Sequence, residues 1–411
     1  MSLTLTSRAA SPSRTDGGLG VVRGTALFVA TIVGPGILTL PALAAAQAGP
    51  VSLVALAALL ALSAPVAFTF AALHAAVPGA DGIAGYAAAA FGPLVGRLVA
   101  AWFRYGVPVG IPALGLIGGE YVAEATGTGR TTAVAVATVI CTVALVSAVR
   151  QHAGGGVLTL VLSALLVVLV LGTAVLALPH GRTGSFTPFA PHGALAAASS
   201  ALLLTWVLTG WEAVTNFTGV LRDPRRTLPR VTAATLVVVA LLYAAVAVPQ
   251  LAVLGPGAAG SEAPVAAMLR IAVGPAGAVL AALVAVVVAT GNTVAWVGSL
   301  AEQGSRTRDT RATALAVPAL IMVAALGAAA TTSLGTGHLI AVCAGSQVPV
   351  YLVGLSAGVK LLPARSRSWW LAVLASAAVS TLLVAAGAYL LAPAAIAACV
   401  VAAHLGRRLR W

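Results

Sequence analysis

The stretch Gly24–Leu43, GTALFVATIVGPGILTLPAL, decides how the chain is read. It is apolar enough to cross a bilayer, yet Gly34, Pro35 and Gly36 interrupt it midway. The bilayer core offers no water to an opened backbone, so a break at mid-depth is costly. It persists where the freed N–H and C=O groups face a cavity or a ligand. Paired breaks at corresponding positions in two halves of a chain point to a solute site at the midplane. A second candidate lies at Thr209-Gly210-Trp211-Glu212, about 175 residues on.

Composition bounds the rest. Of 411 residues, 60% are hydrophobic and 8% charged, and the mean hydropathy is +1.05. Soluble domains carry about 25% charged residues, so an all-α polytopic membrane protein is expected. A formal charge of +13 raises nucleic-acid binding. It is set aside because the basic residues lie in short loops between apolar spans; the expected surroundings are lipid. Cys141, Cys343 and Cys399 sit inside apolar runs without CxxC spacing and read as small core residues, with no metal or disulfide. One lysine against 21 arginines, with abundant Ala and Gly, suggests a GC-rich bacterial genome. No cleavable leader is expected.

Each span needs about 20 apolar residues. Twelve are read, at about 21–46, 51–77, 97–123, 131–149, 155–179, 194–220, 231–254, 272–300, 312–332, 337–359, 368–387 and 389–406. The last two are short and nearly contiguous, so eleven spans with a re-entrant end is the alternative. With a cytoplasmic N-terminus, inside segments hold 18 Lys and Arg residues and outside loops only Arg130, Arg182 and Arg270, leaving Arg104 within span 3. This positive-inside bias places both termini in the cytoplasm. Residues 1–19 read as a disordered tail, 20–406 as one transmembrane domain and 407–411 as a basic C-terminus. The Gly/Ala-rich loop Val77–Phe91 reads as a helix along the membrane surface.

Five spans separate the two breaks, so the second half would run in inverted topology. Repeat one covers about 20–180, repeat two about 194–360, with extra helices at about 368–406. In span 1, Gly34 and Gly36 let the backbone leave the helix and Pro35 removes an N–H. The half-helix beginning near Gly36 would aim free N–H groups and a positive dipole end at a carboxylate. In span 6, Trp206-Val207-Leu208-Thr209-Gly210 would end a half-helix whose carbonyls suit an ammonium group. Together they would form a zwitterion receptor. The plainer reading is that these glycines only permit close helix packing.

Four stretches carry a family likeness: GPGILTLPALAAAQAGP (Gly34–Pro50), PGADGIAGYAAAAFGP (Pro78–Pro93), VPVGIPAL (Val107–Leu114) and WVLTGWEAVTNFTGVLRDPRRTLPR (Trp206–Arg230). The chain resembles the amino acid–polyamine–organocation superfamily, and within it the bacterial methionine and branched-chain amino-acid exporters. The last stretch resembles the family's Gly-x-Glu followed by Asn/Asp-Pro-x-Arg-x-x-Pro-Arg. The resemblance implies a five-plus-five inverted repeat of the leucine-transporter type with two further helices, and alternating access around a central site. It implies that backbone around Thr31, Gly34 and Gly36 holds the substrate carboxylate and that Trp206 and Leu208 border the side-chain pocket. Where many relatives have Gly-Ser-Gly or Gly-Thr-Gly, this chain has Pro35, which deletes a hydroxyl and stiffens the break.

Ionisable groups at depth are functional candidates by default. Glu212, just after the second break, reads either as a proton carrier or as a tie between the broken helix and nearby N–H or hydroxyl groups. Arg104 reads as snorkelling, or as half of a gate pair. Glu120 and Glu124 read as interface residues, with an outer gate as the alternative. Asn292, Thr293 and Gln347 read as helix–helix hydrogen-bonding groups or as pathway lining. Span 5 has no Lys or Arg between Leu158 and Pro179 to stand in for sodium. No cofactor is expected, and coupling stays open between proton, sodium through Thr290 or Thr293, and plain exchange.

The expected function is secondary transport of small neutral amino acids (methionine, leucine, isoleucine or valine) in a pocket bordered by Ile37, Trp206 and Leu208. Export, and with it the bacterial cytoplasmic membrane, follows from the resemblance; an uptake permease or exchanger of the same fold is the alternative. A membrane enzyme is disfavoured because its nine acidic residues and six histidines form no cluster in the sequence. A channel would need a polar stripe that the spans lack.

Overall fold

The computed structural model describes residues 18–150, 156–212, 221–255, 261–305 and 310–408. The tail, His152, Arg306, Arg308 and the second half of span 6 therefore lie outside the described residues. What is described is almost wholly helical. One isolated backbone bridge joins Leu19 to Leu221.

The first span is broken where the sequence breaks it. Helix α1 (Val21–Ile32) stops at Val33, a tight turn covers Pro35–Leu38, and α2 (Leu40–Ala48) resumes. Pro35 opens the turn because its fixed φ and missing N–H suit a first helical position. Helix α3 (Ser52–Ala76) is the second span. The Gly/Ala-rich connection forms α4 (Gly82–Phe91), which packs against α5 and α13.

Helix α5 (Pro93–Thr126) is the centre of the bundle; its most apolar window is 89% buried, and it packs on α6, α11, α12, α13 and α15. Small residues set its approach: a Cβ on Gly119 would lie 2.1 Å from the Ala133 carbonyl oxygen of α6 (Arg130–Val149). Helix α7 (Gly156–Ala177) follows, with its lipid-side leucines and valines exposed.

In span 6, α8 (Ala194–Leu204) tightens into a single turn at Thr205–Leu208 and ends at Thr209. Gly210 has φ +104°, a conformation that glycine reaches without penalty, so the helix ends there. Then come α9 (Pro224–Leu254), α10 (Pro264–Val273) and α11 (Pro275–Ser305). Span 8 was expected from residue 272; instead Gly274, at φ +80°, separates the short α10 from α11. Helices α12 (Arg311–Thr331) and α13 (Thr336–Leu361) complete the second set.

The last apolar stretch is two helices, α14 (Arg367–Ala386) and α15 (Leu391–Arg408), parted at Gly387 with φ +47°. Trp102 donates to the Pro393 carbonyl (2.8 Å) and Arg97 meets His404 (2.9 Å), so α15 lies along the start of α5. Among the described residues nine helical stretches are long and apolar enough to cross a membrane, one of which, Leu40–Ala76, runs through both α2 and α3. The halves of the broken spans account for shorter pieces, and Arg367–Gly406 counts there as one stretch. The element order is that of the twelve segments read from the sequence.

Candidate functional site

The two breaks meet. Gly34, Pro35, Gly36 and Ile37 face Trp206, Thr209 and Gly210 across one cavity of about 70 Å³. One water needs about 10–15 Å³ of such volume, so the space suits a compact solute and not a bulk aqueous channel. A Cβ on Gly210 would stand 3.5 Å from the Thr31 carbonyl oxygen, and one on Gly36 3.6 Å from the Trp206 ring. The breaks are thus close enough to grip the two ends of one small molecule.

The groups offered differ along the wall. The N–H of Gly36 lies in the first turn of its helix, where no intrahelical acceptor exists. Asn292 lies against this break: a Cβ on Gly34 would be 3.1 Å from its Nδ2. The Trp206 indole N–H is buried without an oxygen or nitrogen acceptor. Such a donor left unpaired costs about 1–3 kcal/mol, which a polar ligand would recover. The Thr31 hydroxyl is occupied, donating to Leu27 of its own helix (2.9 Å). No Asp, Glu, Lys, Arg or His lines this cavity among the described residues.

Thr209 donates to the Gln347 side-chain oxygen at 3.1 Å, so Gln347 reaches the wall through the second break. Behind that wall, the Glu212 carboxylate accepts from the Gly210 N–H at 3.0 Å. The Tyr351 hydroxyl sits against both Glu212 and the Leu208 carbonyl oxygen, 2.9 Å from the latter. Glu212 therefore occupies the position of a tie between the open backbone and α13.

The other expected residues lie elsewhere. Val207 and Leu208 are buried away from the cavity, and Leu208 faces Tyr351 instead of the solute space. The Thr293 hydroxyl turns back onto Ala289 (2.7 Å) and is fully buried, because a threonine in an apolar helix satisfies itself that way. Arg104 donates to the Ala314 carbonyl oxygen and has no carboxylate partner among the described residues. Glu120, read as an interface residue, is buried and bonded to Thr336.

Sequence reasoning missed the far wall. Val107, Gly110, Ile111 and Leu114 of α5, Tyr243 of α9, Trp296 of α11 and Cys343 of α13 complete the lining. The stretch VPVGIPAL contained the clue: Pro108 and Pro112 inside a long helix, with Gly110 between them. A Cβ on Gly110 would fall 2.7 Å from Cys343 and 3.0 Å from Trp206, so glycine there keeps the pocket open.

Two broken helices enclosing a polar-backbone cavity inside a helical bundle are the architecture of secondary transporters. Residues 19–304 match the amino acid permease family, and the chain belongs to it. It is 28% identical over 395 residues to the uncharacterized amino acid permease YecA of Bacillus subtilis, covering 92% of this chain and 93% of that protein. It is 39% identical over 95 residues, 23% of each chain, to the L-methionine/branched-chain amino acid exporter YjeH of Escherichia coli. Among solved structures, MhsT in complex with L-phenylalanine superimposes with a TM-score of 0.59 at 14% identity, covering 88% of this chain and 98% of that one. The fold is therefore leucine-transporter-like, and the protein is a multi-pass membrane transporter of amino acids, not an enzyme.

Proposed function

We propose that the chain moves small neutral, apolar amino acids (methionine, leucine, isoleucine or valine) by alternating access, and that it works as an exporter. The observation that carries this reading is the central cavity's lining: backbone from two breaks for the zwitterion, apolar side chains for most of the rest, and no fixed charge among the described residues. A cationic or dicarboxylic side chain would be buried there without a counter-charge, at a cost of several kcal/mol. The substrate carboxylate rests on the first break, with Gly34, Gly36 and Asn292. The ammonium group rests on the carbonyl ends near Thr31 and Thr209. Ile37, Ile111, Trp206 and Cys343 enclose the side chain.

Export draws on the local likeness to YjeH, named an exporter. The arginine distribution supports cytoplasmic termini in a bacterial plasma membrane. Glu212 is the group through which a coupling proton would act, as it bears on the second break, and Gln347 reaches the same break through Thr209.

Counterflow in proteoliposomes tests the reading. Vesicles loaded with unlabelled methionine or leucine, but not with lysine, are expected to accumulate labelled methionine transiently. An equal response to lysine, or none to any of the three, would overturn the substrate class. Efflux from inverted vesicles, compared with right-side-out vesicles, reads the direction.

A further inference from the structure

A second polar space lies away from the breaks, at the end of the bundle where α5 ends and α13 begins. It consists of two adjoining cavities of about 480 and 360 Å³, which share Leu43, Ala46, Glu120, Arg130 and Glu262. Neither shares a lining residue with the central cavity.

Its electrostatics are unbalanced. Glu120 is only 6% exposed; one of its carboxylate oxygens accepts from Thr336, and the other is buried with no partner. The Ser261 hydroxyl, on the same wall, is likewise buried and unpartnered. Arg130 faces both cavities, but its guanidinium is taken by backbone, with Nε 2.9 Å from the Ala329 carbonyl oxygen and a second donor on Leu334. Glu124 is paired with Arg270 at 3.3 Å. His338 and Tyr389 are the remaining titratable groups on the walls. Among the described residues two carboxylates, Glu120 and Glu262, thus face the space with no side-chain cation bonded to either, and the single charge of Arg130 offsets only one of them. A buried carboxylate oxygen without a partner is costly to the folded state. A small cation would satisfy it and the Ser261 oxygen together. An anion would be repelled, and an apolar guest would leave both atoms orphaned.

We propose that this vestibule is a monovalent-cation site, with Glu120 as the primary ligand, Ser261 and Thr336 as neighbouring oxygens and Glu262 as the electrostatic partner. Its chemistry suits an alkali ion or a primary ammonium head equally. The site stands apart from the central cavity and does not rest on the substrate assigned there.

The test uses the purified full chain in detergent and follows thermal unfolding by tryptophan fluorescence. Sodium, potassium or methylammonium chloride is titrated against N-methylglucamine chloride at constant ionic strength. A ligand of the folded state raises the unfolding midpoint with its own saturation curve. A saturable rise is expected with at least one cation; sodium or potassium would mark an alkali site, and methylammonium an ammonium site. Glu120→Gln is expected to abolish the rise. Glu262 is exposed and its change to Gln should fold normally, raising the half-saturating concentration about tenfold through loss of one nearby charge. Gly36→Val, at the central site, should leave the curve unchanged. A flat response of the wild-type protein to all three cations would overturn the proposal. So would a Glu262→Gln curve identical to wild type, whether or not Glu120→Gln folds.

Discussion

The two breaks look alike in sequence and are held differently. The first is held by its carbonyl side: Tyr121 of α5 donates to the Leu38 carbonyl oxygen at 3.0 Å, and the polar side chain against Gly34 is the neutral amide of Asn292. The second is braced, with Glu212 on the Gly210 N–H, Tyr351 behind it and Gln347 on Thr209. The brace on the first break takes a carbonyl and leaves its N–H donors for a ligand, while the second break spends the Gly210 N–H and the Thr209 hydroxyl on Glu212 and α13. The first break is thus built for binding, and the second for linking whatever binds to the rest of the bundle.

The sharpest way to break this contrast is Gly36→Val. Its Cβ would press on Leu40 at 3.1 Å and project bulk towards Trp206. Counterflow should fall by more than about a hundredfold, as it does when a bound geometry is displaced by about 1 Å. Membrane insertion and elution as a monodisperse species should persist, and retained transport would refute the assignment of the first break.

Gly110→Ala comes next. Its methyl group would meet Cys343 and Trp206 and shrink the side-chain space. Apparent affinity for leucine should drop by roughly tenfold, within the 1–3 kcal/mol that one methylene can decide, while alanine or valine is affected less. Competition against labelled methionine reads this ratio.

Glu212→Gln sharpens the second half of the contrast. A neutral amide can still accept from Gly210 but no longer carries a proton. If Glu212 couples transport to protons, the dependence of counterflow on an imposed pH gradient disappears; if it is only a brace, that dependence stays and the unfolding midpoint falls slightly. Tyr351→Phe should cost about 1–3 kcal/mol of stability, because it leaves the Glu212 carboxylate and the Leu208 carbonyl without their donor, without changing which amino acids compete. Asn292→Ala should give the smallest effect, a several-fold loss in apparent affinity, consistent with one neutral hydrogen bond.

Much of this was legible in the chain. Gly34-Pro35-Gly36 announces its break because proline and glycine act locally, and the span limits follow from hydrophobic length alone. The helix Gly82–Phe91 was readable from its Ala-rich run between glycines. The second cavity wall was not. Tyr243, Trp296 and Cys343 sit in stretches of helix without such a signal, where local sequence does not say which face meets which neighbour. Leu208 and Thr293 were misplaced for the same reason: one residue of rotation, about 100° on a helix, moves a side chain off the wall. Glu120 was misjudged because closeness to a span end resembles exposure until α13 is packed over it.

The bridge between Leu19 and Leu221, with the Arg222 N–H 3.0 Å from the Leu19 carbonyl oxygen, has a consequence for biogenesis. Leu19 leaves the ribosome about 200 residues ahead of its partner, an interval of roughly 10–40 s at ~5–20 residues per second. Over that time the first span must wait in the bilayer with its entry strand unpaired while five more spans are threaded. Closing the bridge marks the moment at which the first half of the molecule has been delivered and the two breaks can come face to face.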